Sequence, residues 1–314
     1  MDMYKRPVKL CAAFKDYLWG GTRLKTEYNK KCDLDKVAES WELSVHKDGE
    51  SVILDGEFAG KKLSEYIKTN PYDVLGKNPK AFDFFPILIK FIDAKDNLSV
   101  QVHPDDEYSL KNNGEYGKTE MWYILDCDEG AELYYGFKKK ITKEEFRKRI
   151  EENTLLEVLN SVKVKKGDVY FIEAGTVHAI GKGIIICEIQ QNSNTTYRVY
   201  DYNRRDAAGN TRPLHIEQAI EVSKTEPADN YVAKDENVLA SCKYFTVEKA
   251  DVTDEKCFEI SDDCFKSVIV TEGNGEFIME DYSCMIKKGD SIFIPAQNSK
   301  FCVKGNCELI ISYV

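Results

Sequence analysis

A nine-residue segment occurs twice in the chain, and this repeat constrains the fold more than any other feature of the sequence. Residues 166–174 read Lys-Gly-Asp-Val-Tyr-Phe-Ile-Glu-Ala, and residues 288–296 read Lys-Gly-Asp-Ser-Ile-Phe-Ile-Pro-Ala. Each copy is a Gly-Asp turn followed by a β-like run and a second turn. Gly-Asp turns before strands are common, but here both turns also match in length. The repeat therefore predicts a duplicated β-barrel.

Short apolar runs separated by Gly, Asn and Asp turns dominate the chain and predict an all-β fold class. The clearest of these runs cover residues 52–54, 86–92, 121–125, 169–172 and 184–189. Their recurrence favours a barrel or sandwich over alternating βαβ units.

Helical patterning is limited to two segments, of which the second is a small helical insertion between β-like runs. Residues 63–67 predict a short helix, and residues 142–160 predict a longer one. In the longer segment Thr142 and Glu145 form a capping box, and apolar residues follow at helical spacing. The insertion is expected near 142–160.

Length and charge narrow the possible functions. A chain of 314 residues can form one large domain or two smaller ones. Its net charge of -10 argues against a nucleic-acid partner or a membrane-surface role, since each needs a basic face. The polar segment 225–234, which contains Pro227, predicts a linker between a catalytic domain over 1–235 and a C-terminal domain over 236–314.

The cysteines and the N-terminal residues predict a cytoplasmic protein. The first residues contain no apolar signal region, and no uninterrupted apolar stretch is long enough to span a bilayer. The ten cysteines are scattered without any Cys-x-x-Cys pair. We therefore expect reduced, mostly buried thiols.

Three segments together predict a mononuclear metal site. Gln101 and His103 are two residues apart, so an extended strand places both side chains on one face. Two imidazoles, a carboxylate and an amide oxygen suit zinc or a similar borderline ion, with room left for water or substrate. The four predicted ligands are Gln101, His103, Glu120 and His178. The remaining histidines, His46 and His215, are assigned structural roles.

The second copy of the repeat lacks the equivalent of this site. When both copies are continued in the same register, Lys300 stands where the first copy has His178. No Gln-x-His pair accompanies Lys300, so the C-terminal barrel is expected to be metal-free.

Polar residues also line a predicted strand near Arg198. Glu188 and Gln190 alternate with apolar residues and share one strand face. Inward polar groups in an apolar strand usually line a ligand cavity or a hydrogen-bonded network. Two explanations of Arg198 remain open at this point, a substrate role and a surface ion pair with Asp201 or Asp206.

Lys118 and Ser99 extend the faces that carry the predicted metal ligands. Lys118 lies two residues before Glu120, and Ser99 lies two before Gln101. A lysine beside a metal is electrostatically costly unless an anion visits the site. Ser99, Lys118 and Arg198 could together hold a phosphate, and a solvated Lys118 is the alternative.

Taken together, these segments resemble type I mannose-6-phosphate isomerases, specifically the short bacterial form. The most specific combination is Gln-Val-His-Pro followed by Gly-Lys-Thr-Glu and Gly-Thr-Val-His-Ala-Ile-Gly. The resemblance runs from near the N-terminus to about residue 205, and the C-terminal copy fits the second cupin of the family. The matching segments are 19–21, 38–42, 85–94, 101–106, 117–122, 174–181 and 188–201.

The resemblance implies a double-cupin fold of jelly-roll β-barrels. It also implies a zinc-dependent interconversion of mannose 6-phosphate and fructose 6-phosphate through an enediol(ate), with one Zn²⁺ per chain. By position, Arg198 matches the active-site arginine, and Lys118 and Glu188 match residues of the substrate pocket. Lys118 and Glu188 are the candidates for the base. The sequence departs from the family at Asn194, where an Asp commonly stands, and if that Asp transfers a proton, this chain has to use another group.

Two other classes of function remain open from the sequence. An iron-dependent cupin dioxygenase could use His103, Glu120 and His178 as two histidines and one carboxylate. A non-catalytic sugar-phosphate-binding protein would keep the fold and lose the chemistry. Gln101 and the cations Lys118 and Arg198 favour the isomerase. The expected partner is a small phosphosugar, and the expected assembly is a monomer or weak homo-oligomer.

Overall fold

The structure of the chain is a computed structural model that describes residues 3–205, 208–229, 231, 235 and 237–314. The predicted linker 225–234 lies partly outside these residues. Within the part of the chain that the structure describes, strand (43%) far exceeds helix (14%), so the predicted all-β class is confirmed as a mostly β fold. Among the described residues, no helix has the length and apolarity needed to cross a membrane.

Strands make up most of the regular structure. In chain order they are β1 (Val8–Cys11), β2 (Ala13–Lys15), β3 (Glu39–Leu43), β4 (Val45–His46), β5 (Gly49–Glu50), β6 (Val52–Ile53), β7 (Ile87–Ala94), β8 (Val100–Val102), β9 (Glu120–Cys127), β10 (Glu132–Phe137), β11 (Leu159–Lys163), β12 (Val169–Ile172), β13 (His178–Ala179), β14 (Ile184–Gln191), β15 (Tyr197–Tyr200), β16 (Val238–Ser241), β17 (Thr246–Ile260), β18 (Lys266–Met279), β19 (Tyr282–Lys287), β20 (Ser291–Ile294) and β21 (Ser299–Tyr313).

The helices are short. They are α1 (Arg23–Glu27), α2 (Leu63–Thr69), α3 (Asp106–Asn112), α4 (Lys143–Glu151) and α5 (Ile216–Val222), with 3₁₀ turns at Met3–Lys5, Asn78–Ala81 and Leu155–Glu157. Helix α2 confirms the helix predicted over 63–67.

The helical insertion begins where the sequence predicts and ends earlier. Thr142 caps α4, and its side chain accepts a hydrogen bond from the backbone N–H of Glu145 at 3.1 Å. The predicted continuation to residue 160 is wrong, because Asn153 adopts a left-handed conformation with φ +59° and ends the helical path. The chain then forms a 3₁₀ turn and enters β11 at Leu159.

Two sheets enclose the region that carries the predicted site. One has the strand order β12-β9-β14-β7-β3-β2, and the other has the order β11-β10-β13-β8-β15. An apolar cluster that includes Ile92, Trp122 and Ile186 of the first sheet and Leu133 of the second packs between them. This packing brings the polar side chains of the two facing surfaces close together.

Strand β14 is buried along its whole length, and its two faces have different partners. Ile184 and Ile186 pack in the cluster between the two sheets. Ile185 and Ile189 pack in a second cluster with Phe293 and other residues of the C-terminal sheet. Because side chains alternate along a strand, Glu188 belongs to the face between the first two sheets.

The C-terminal sheet has the order β16-β17-β21-β18-β20-β1-β6, with β19 paired to β18. Strands β1 and β6 come from the N-terminal part of the chain, so this sheet draws on both ends of the sequence. Its own core contains Val268, Phe277, Phe301 and Leu309.

Both copies of the sequence repeat form the same turn before a strand. Asp168 accepts a hydrogen bond from the backbone N–H of Lys165 at 2.9 Å, and Asp290 accepts one from that of Lys287 at 3.1 Å. The preceding glycines have φ +89° at position 167 and +92° at position 289, a region that glycine enters without steric cost. The two copies therefore share local structure as well as sequence.

The expectation that the thiols are reduced is wrong for two cysteines. Cys257 and Cys302 face each other across the antiparallel pair β17 and β21 and form a disulfide. Strand pairing brings their Cα atoms to 4.0 Å, which the spacing of these cysteines in the sequence did not reveal. The other eight cysteines are free.

Candidate active site

Strand pairing places the predicted site residues opposite one another on two facing sheets. In the five-stranded sheet Gln101 of β8 lies directly between His178 of β13 and Arg198 of β15. In the six-stranded sheet Glu120 begins β9 and Glu188 lies in the neighbouring β14. The predicted ligands therefore come from both walls of one site.

His103, Glu120 and His178 form a buried group whose candidate ligand atoms all lie within 4.8 Å of one another. Nε2 of His103 is 3.6 Å from Oε2 of Glu120, and Nε2 of His178 is 3.4 Å from its Oε1. The amide nitrogen of Gln101 lies 3.4 Å from Nε2 of His178. The structure thus brings together all four residues predicted as ligands.

Backbone carbonyls orient both imidazoles toward the centre of this group. Nδ1 of His103 lies 2.8 Å from the carbonyl oxygen of Thr195, and Nδ1 of His178 lies 2.8 Å from that of Thr176. If each Nδ1 carries the proton, each Nε2 presents a lone pair inward, the arrangement that metal-binding histidines adopt.

The protonation states of the histidines also suit a metal. Burial, with the nearby Lys118 ammonium, lowers the pKa of His178 to about 3 and holds the pKa of His103 well below its ordinary value. Both rings are therefore neutral at neutral pH, as metal ligation requires. Oε1 of Glu120 is buried without a hydrogen-bond partner among the described residues, so the donor set fits a divalent cation.

Lys118 lies inside the site and is not a solvated surface lysine. Its side chain is 4% exposed, and its Nζ is hydrogen-bonded to Glu120 and lies 3.1 Å from Nε2 of His103. Oε1 of Glu188 is 3.7 Å from the same Nζ. Lys118 therefore connects the candidate metal ligands with the inward face of β14.

Two residues that the sequence analysis did not single out, Lys90 and Glu39, complete the charged wall next to Glu188. Nζ of Lys90 lies 3.5 Å from Oε2 of Glu188 and 3.6 Å from Oε2 of Glu39. Trp122 donates an indole hydrogen bond to Glu188 at 3.1 Å. In the sequence, Lys90 stands out as a single lysine in the apolar run 86–92. A charged residue in a buried strand needs a polar partner, and the structure supplies two carboxylates.

The pKa values of the two buried glutamates, Glu120 and Glu188, are shifted in opposite directions. Burial and the neighbouring Glu188 raise the pKa of Glu120 to about 8. Burial would also raise the pKa of Glu188, but Lys118 and Lys90 outweigh it and lower that pKa. At neutral pH the site therefore keeps Glu188 as a carboxylate.

Arg198 does not pair with Asp201, and Asp206 lies outside the described residues. Instead, Nε of Arg198 donates to Oγ of Ser99 at 3.2 Å, and Nη1 donates to the carbonyl oxygen of Pro213 at 3.1 Å. Asp201 accepts hydrogen bonds from Arg212 at 2.8 and 2.6 Å. The surface ion pair of Arg198 with Asp201 is therefore not formed, whereas the alternative pair with Asp206 falls outside the described residues.

A polar cavity of about 260 Å³ lies between the two sheets. Ser99, Gln101, Lys118, Glu188 and Arg198 all line it. Gln190 is not among the lining residues and instead donates to two backbone carbonyls. The cavity is also lined by Tyr17, Trp19, Glu39, Lys90, Ile92, Leu98, Ile180, Asn194, Thr196 and Arg212.

The remaining histidines have more specific neighbours than the sequence suggested. Nε2 of His46 lies 3.3 Å from Oε2 of Glu115. Nδ1 of His215 accepts a hydrogen bond from the backbone N–H of Arg198 at 3.2 Å. Each ring therefore supports a segment of the cavity wall, which spacing in the sequence alone could not show.

The fold and the site together define a β-sheet protein with a buried candidate metal centre beside a polar cavity. Residues 8–134 match the catalytic domain of type I phosphomannose isomerases, and residues 235–314 match the cupin domain of mannose-6-phosphate isomerases. Mannose-6-phosphate isomerase ManA of Bacillus subtilis (strain 168) is 39% identical over 99% of this chain and 100% of that protein. The mannose-6-phosphate isomerase of Streptococcus mutans is 38% identical over 98% of each.

A solved structure gives the same result. The crystal structure of a mannose 6-phosphate isomerase from Bacillus subtilis superposes with a TM-score of 0.89 at 37% identity, covering 98% of this chain and 99% of that one. The chain belongs to the type I mannose-6-phosphate isomerase family. It is an isomerase, and both the resemblance and the enzyme class predicted from the sequence are confirmed.

Proposed function

We propose that the chain is a zinc-dependent aldose–ketose isomerase that interconverts mannose 6-phosphate and fructose 6-phosphate through an enediol(ate) intermediate. The observation that carries this proposal is the buried His103–Glu120–His178 group next to the cavity. Gln101 and Lys118 contact this group and line the cavity together with Arg198. The names of the relatives from B. subtilis and S. mutans support the substrate.

One Zn²⁺ per chain would be held by Gln101, His103, Glu120 and His178. The neutral imidazoles support this ligand set, and so does Oε1 of Glu120, which has no hydrogen-bond partner among the described residues. When bound, such an ion supplies Lewis-acid stabilisation of negative charge on substrate oxygens, on the order of several kcal/mol.

Glu188 and Lys118 are the candidates for moving the proton between C1 and C2 of the sugar. Isomerisation requires a base that is unprotonated at neutral pH and reaches the substrate. Glu188 meets the first requirement because Lys118 and Lys90 lower its pKa against the effect of burial. Its Oε2 accepts no hydrogen bond among the described residues, and Glu188 lines the cavity, so we propose Glu188 as the base and Lys118 as its partner.

Arg198 and Ser99 are proposed to bind the anionic parts of the substrate. Their side chains are hydrogen-bonded to each other at the cavity wall, and Arg212 lines the same cavity. Burial and the neighbouring Arg212 lower the pKa of Arg198. A bound phosphate would oppose this lowering, because its negative charge compensates the two guanidinium groups. Lys118 adds a third cation to the same cavity.

We further propose a double-cupin arrangement, with a catalytic domain over 1–235 and a metal-free cupin over 236–314. The repeated Gly-Asp turns and the match of residues 235–314 to a cupin domain support this division. We also propose a cytoplasmic enzyme that acts as a monomer or weak homo-oligomer.

Metal analysis combined with a coupled assay tests the proposed function. The purified chain, loaded with zinc, should convert mannose 6-phosphate to fructose 6-phosphate at a rate that rises with metal occupancy and reaches its maximum near one zinc per chain. Full zinc occupancy without turnover would contradict the proposal, and so would equal turnover after the metal has been removed.

A further inference from the structure

The segment 192–196 forms part of the cavity wall and is held by two carboxylates from other parts of the chain. Asn194 lines the cavity. Its backbone N–H donates to Oε2 of Glu115 at 2.9 Å, and its side-chain Nδ2 donates to Oδ2 of Asp48 at 2.9 Å. Both the position and the amide of Asn194 are therefore fixed by hydrogen bonds to acidic groups.

The amide orientation of Asn194 follows from the chemistry of its partner. A carboxylate has no proton to donate at neutral pH, so Asp48 accepts only from the NH₂ group of the amide. The amide oxygen of Asn194 consequently turns away from Asp48 and is available as an acceptor at the cavity wall. An aspartate at this position would place two carboxylates within hydrogen-bond distance of each other, which is strongly unfavourable.

His46 holds both carboxylate-bearing segments in place. The backbone N–H of Asp48 donates to Nδ1 of His46 at 3.2 Å. Nδ1 is therefore the acceptor nitrogen, and Nε2, 3.3 Å from Oε2 of Glu115, carries the donating proton. His46 is buried and packs edge-on against Trp41, so a single imidazole connects the two groups that fix Asn194.

The same wall segment also reaches the candidate metal centre. The carbonyl oxygen of Thr195 lies 2.8 Å from Nδ1 of His103. The side chain of Ser193 accepts from the backbone N–H of Thr195 at 3.2 Å. A group at position 194 is therefore held at a fixed distance from the candidate metal centre.

We propose that Asn194 is a substrate-binding residue whose amide oxygen accepts a hydrogen bond from a hydroxyl group of the sugar. Asp48, Glu115 and His46 are positioning residues that act through it. This inference rests on the proposed function for the identity of the sugar phosphate. Asn194, positioned by the hairpin of β4 and β5, would then help to select substrates by the position of their hydroxyl groups.

Comparing the binding of substrate and deoxy analogues to two forms of the protein tests the inference directly. Binding of mannose 6-phosphate and of its 3-deoxy and 4-deoxy analogues to the zinc-loaded chain is measured by calorimetry for the unaltered protein and for Asn194→Ala. One deoxy analogue should bind the unaltered protein about 2- to 10-fold more weakly than mannose 6-phosphate, the effect of one neutral hydrogen bond. In Asn194→Ala that penalty should disappear, and zinc content should stay unchanged.

A second test exchanges the donor and the acceptor of the hydrogen bond between Asn194 and Asp48. Asn194→Asp should weaken binding of mannose 6-phosphate more than Asn194→Ala does, because the new carboxylate faces Asp48. Adding Asp48→Asn restores a donor–acceptor pair, so the double variant should bind more tightly than Asn194→Asp alone. Asn306→Asp, an exposed change of the same charge in β21, serves as the matched control and should have no effect.

Two results would overturn the inference: a deoxy penalty that is the same with Asn or Ala at position 194, or a double variant that is no better than Asn194→Asp. Failure of the proposed function is seen separately, as absence of turnover by the unaltered, zinc-loaded chain.

Discussion

Lys90 and Glu188 form a buried ion pair at the cavity wall, with 3.5 Å between Nζ and Oε2. Glu39 lies on the other side of the same ammonium at 3.6 Å, and the ring of Trp41 lies 4.9 Å from it. Burial alone would lower the pKa of Lys90, but the two carboxylates raise it above its ordinary value. One cation thus lies between two buried anions.

Lys90→Met is expected to destabilise the fold by about 3 to 5 kcal/mol, because it leaves the buried Glu39 without its cation and Glu188 with Lys118 alone. Urea unfolding at neutral pH measures this change. Lys95→Met removes a charge from an exposed position just beyond β7 and should change stability little. Equal stability of the two variants would show that the buried carboxylates do not depend on Lys90.

His103→Ala and His178→Ala should each lose bound zinc and activity together. Each histidine supplies one of only four proposed ligands, and both Nε2 atoms face Glu120. Elemental analysis and the coupled isomerase assay measure the two losses. His215→Ala should retain zinc, since its ring contacts the backbone of Arg198 rather than the ligand group. Stoichiometric zinc in both alanine variants of the ligands would refute the site.

Lys300→Ala should leave zinc content and turnover close to those of the unaltered chain. Lys300 occupies the position in the second repeat that corresponds to His178, and its side chain is exposed in β21. A single exposed substitution of this kind usually changes stability by less than about 0.5 kcal/mol. A large loss of turnover at unchanged stability would show that the C-terminal copy contributes to catalysis.

Arg198→Lys should lower the catalytic rate far more than substrate affinity or zinc occupancy. Lysine keeps the charge but loses the planar fork that contacts Ser99 and the carbonyl of Pro213. If Arg198 stabilises charge that develops during enolisation, we expect a decrease in kcat of about 100-fold, with a similar or larger decrease in Arg198→Ala. A raised KM at unchanged kcat would instead identify Arg198 as a simple phosphate anchor.

The sequence revealed those parts of the site that depend on local spacing. Gln101 and His103 could be placed together because residues two apart share a face of a strand, and the runs around Glu120 and His178 read clearly as strand and turn. The repeat likewise marked two equivalent Gly-Asp turns, which the structure shows with the same Asp-to-backbone hydrogen bond.

What the sequence could not reveal depends on contacts between distant segments. Lys90, Glu39 and Arg212 enter the cavity because separate strands and loops converge there. Likewise, only the pairing of β17 with β21 brings Cys257 opposite Cys302. No periodicity within one segment carries such information, so these features required the three-dimensional structure.

Glu115 makes the stability of the fold depend on pH. The hydrogen bond from His46 outweighs partial burial and, with the backbone N–H of Asn194, lowers the pKa of Glu115 from 4.5 to about 2. A carboxyl group with a depressed pKa in the folded state stabilises that state above its unfolded pKa. This contribution is lost as the pH falls through the folded value.

Glu115→Gln should therefore be less stable than the unaltered chain at pH 6 to 7, on the order of 1 kcal/mol for a partly exposed, charge-assisted hydrogen bond. The difference between the two proteins should shrink as the pH falls from about 4.5 toward about 2, because protonation removes the same charge from Glu115. Urea unfolding over this range measures the effect, and Glu276→Gln, a change in β18 of the C-terminal sheet, serves as the matched control. A stability difference that stayed constant down to pH 2 would mean that the carboxylate charge of Glu115 does not stabilise the fold.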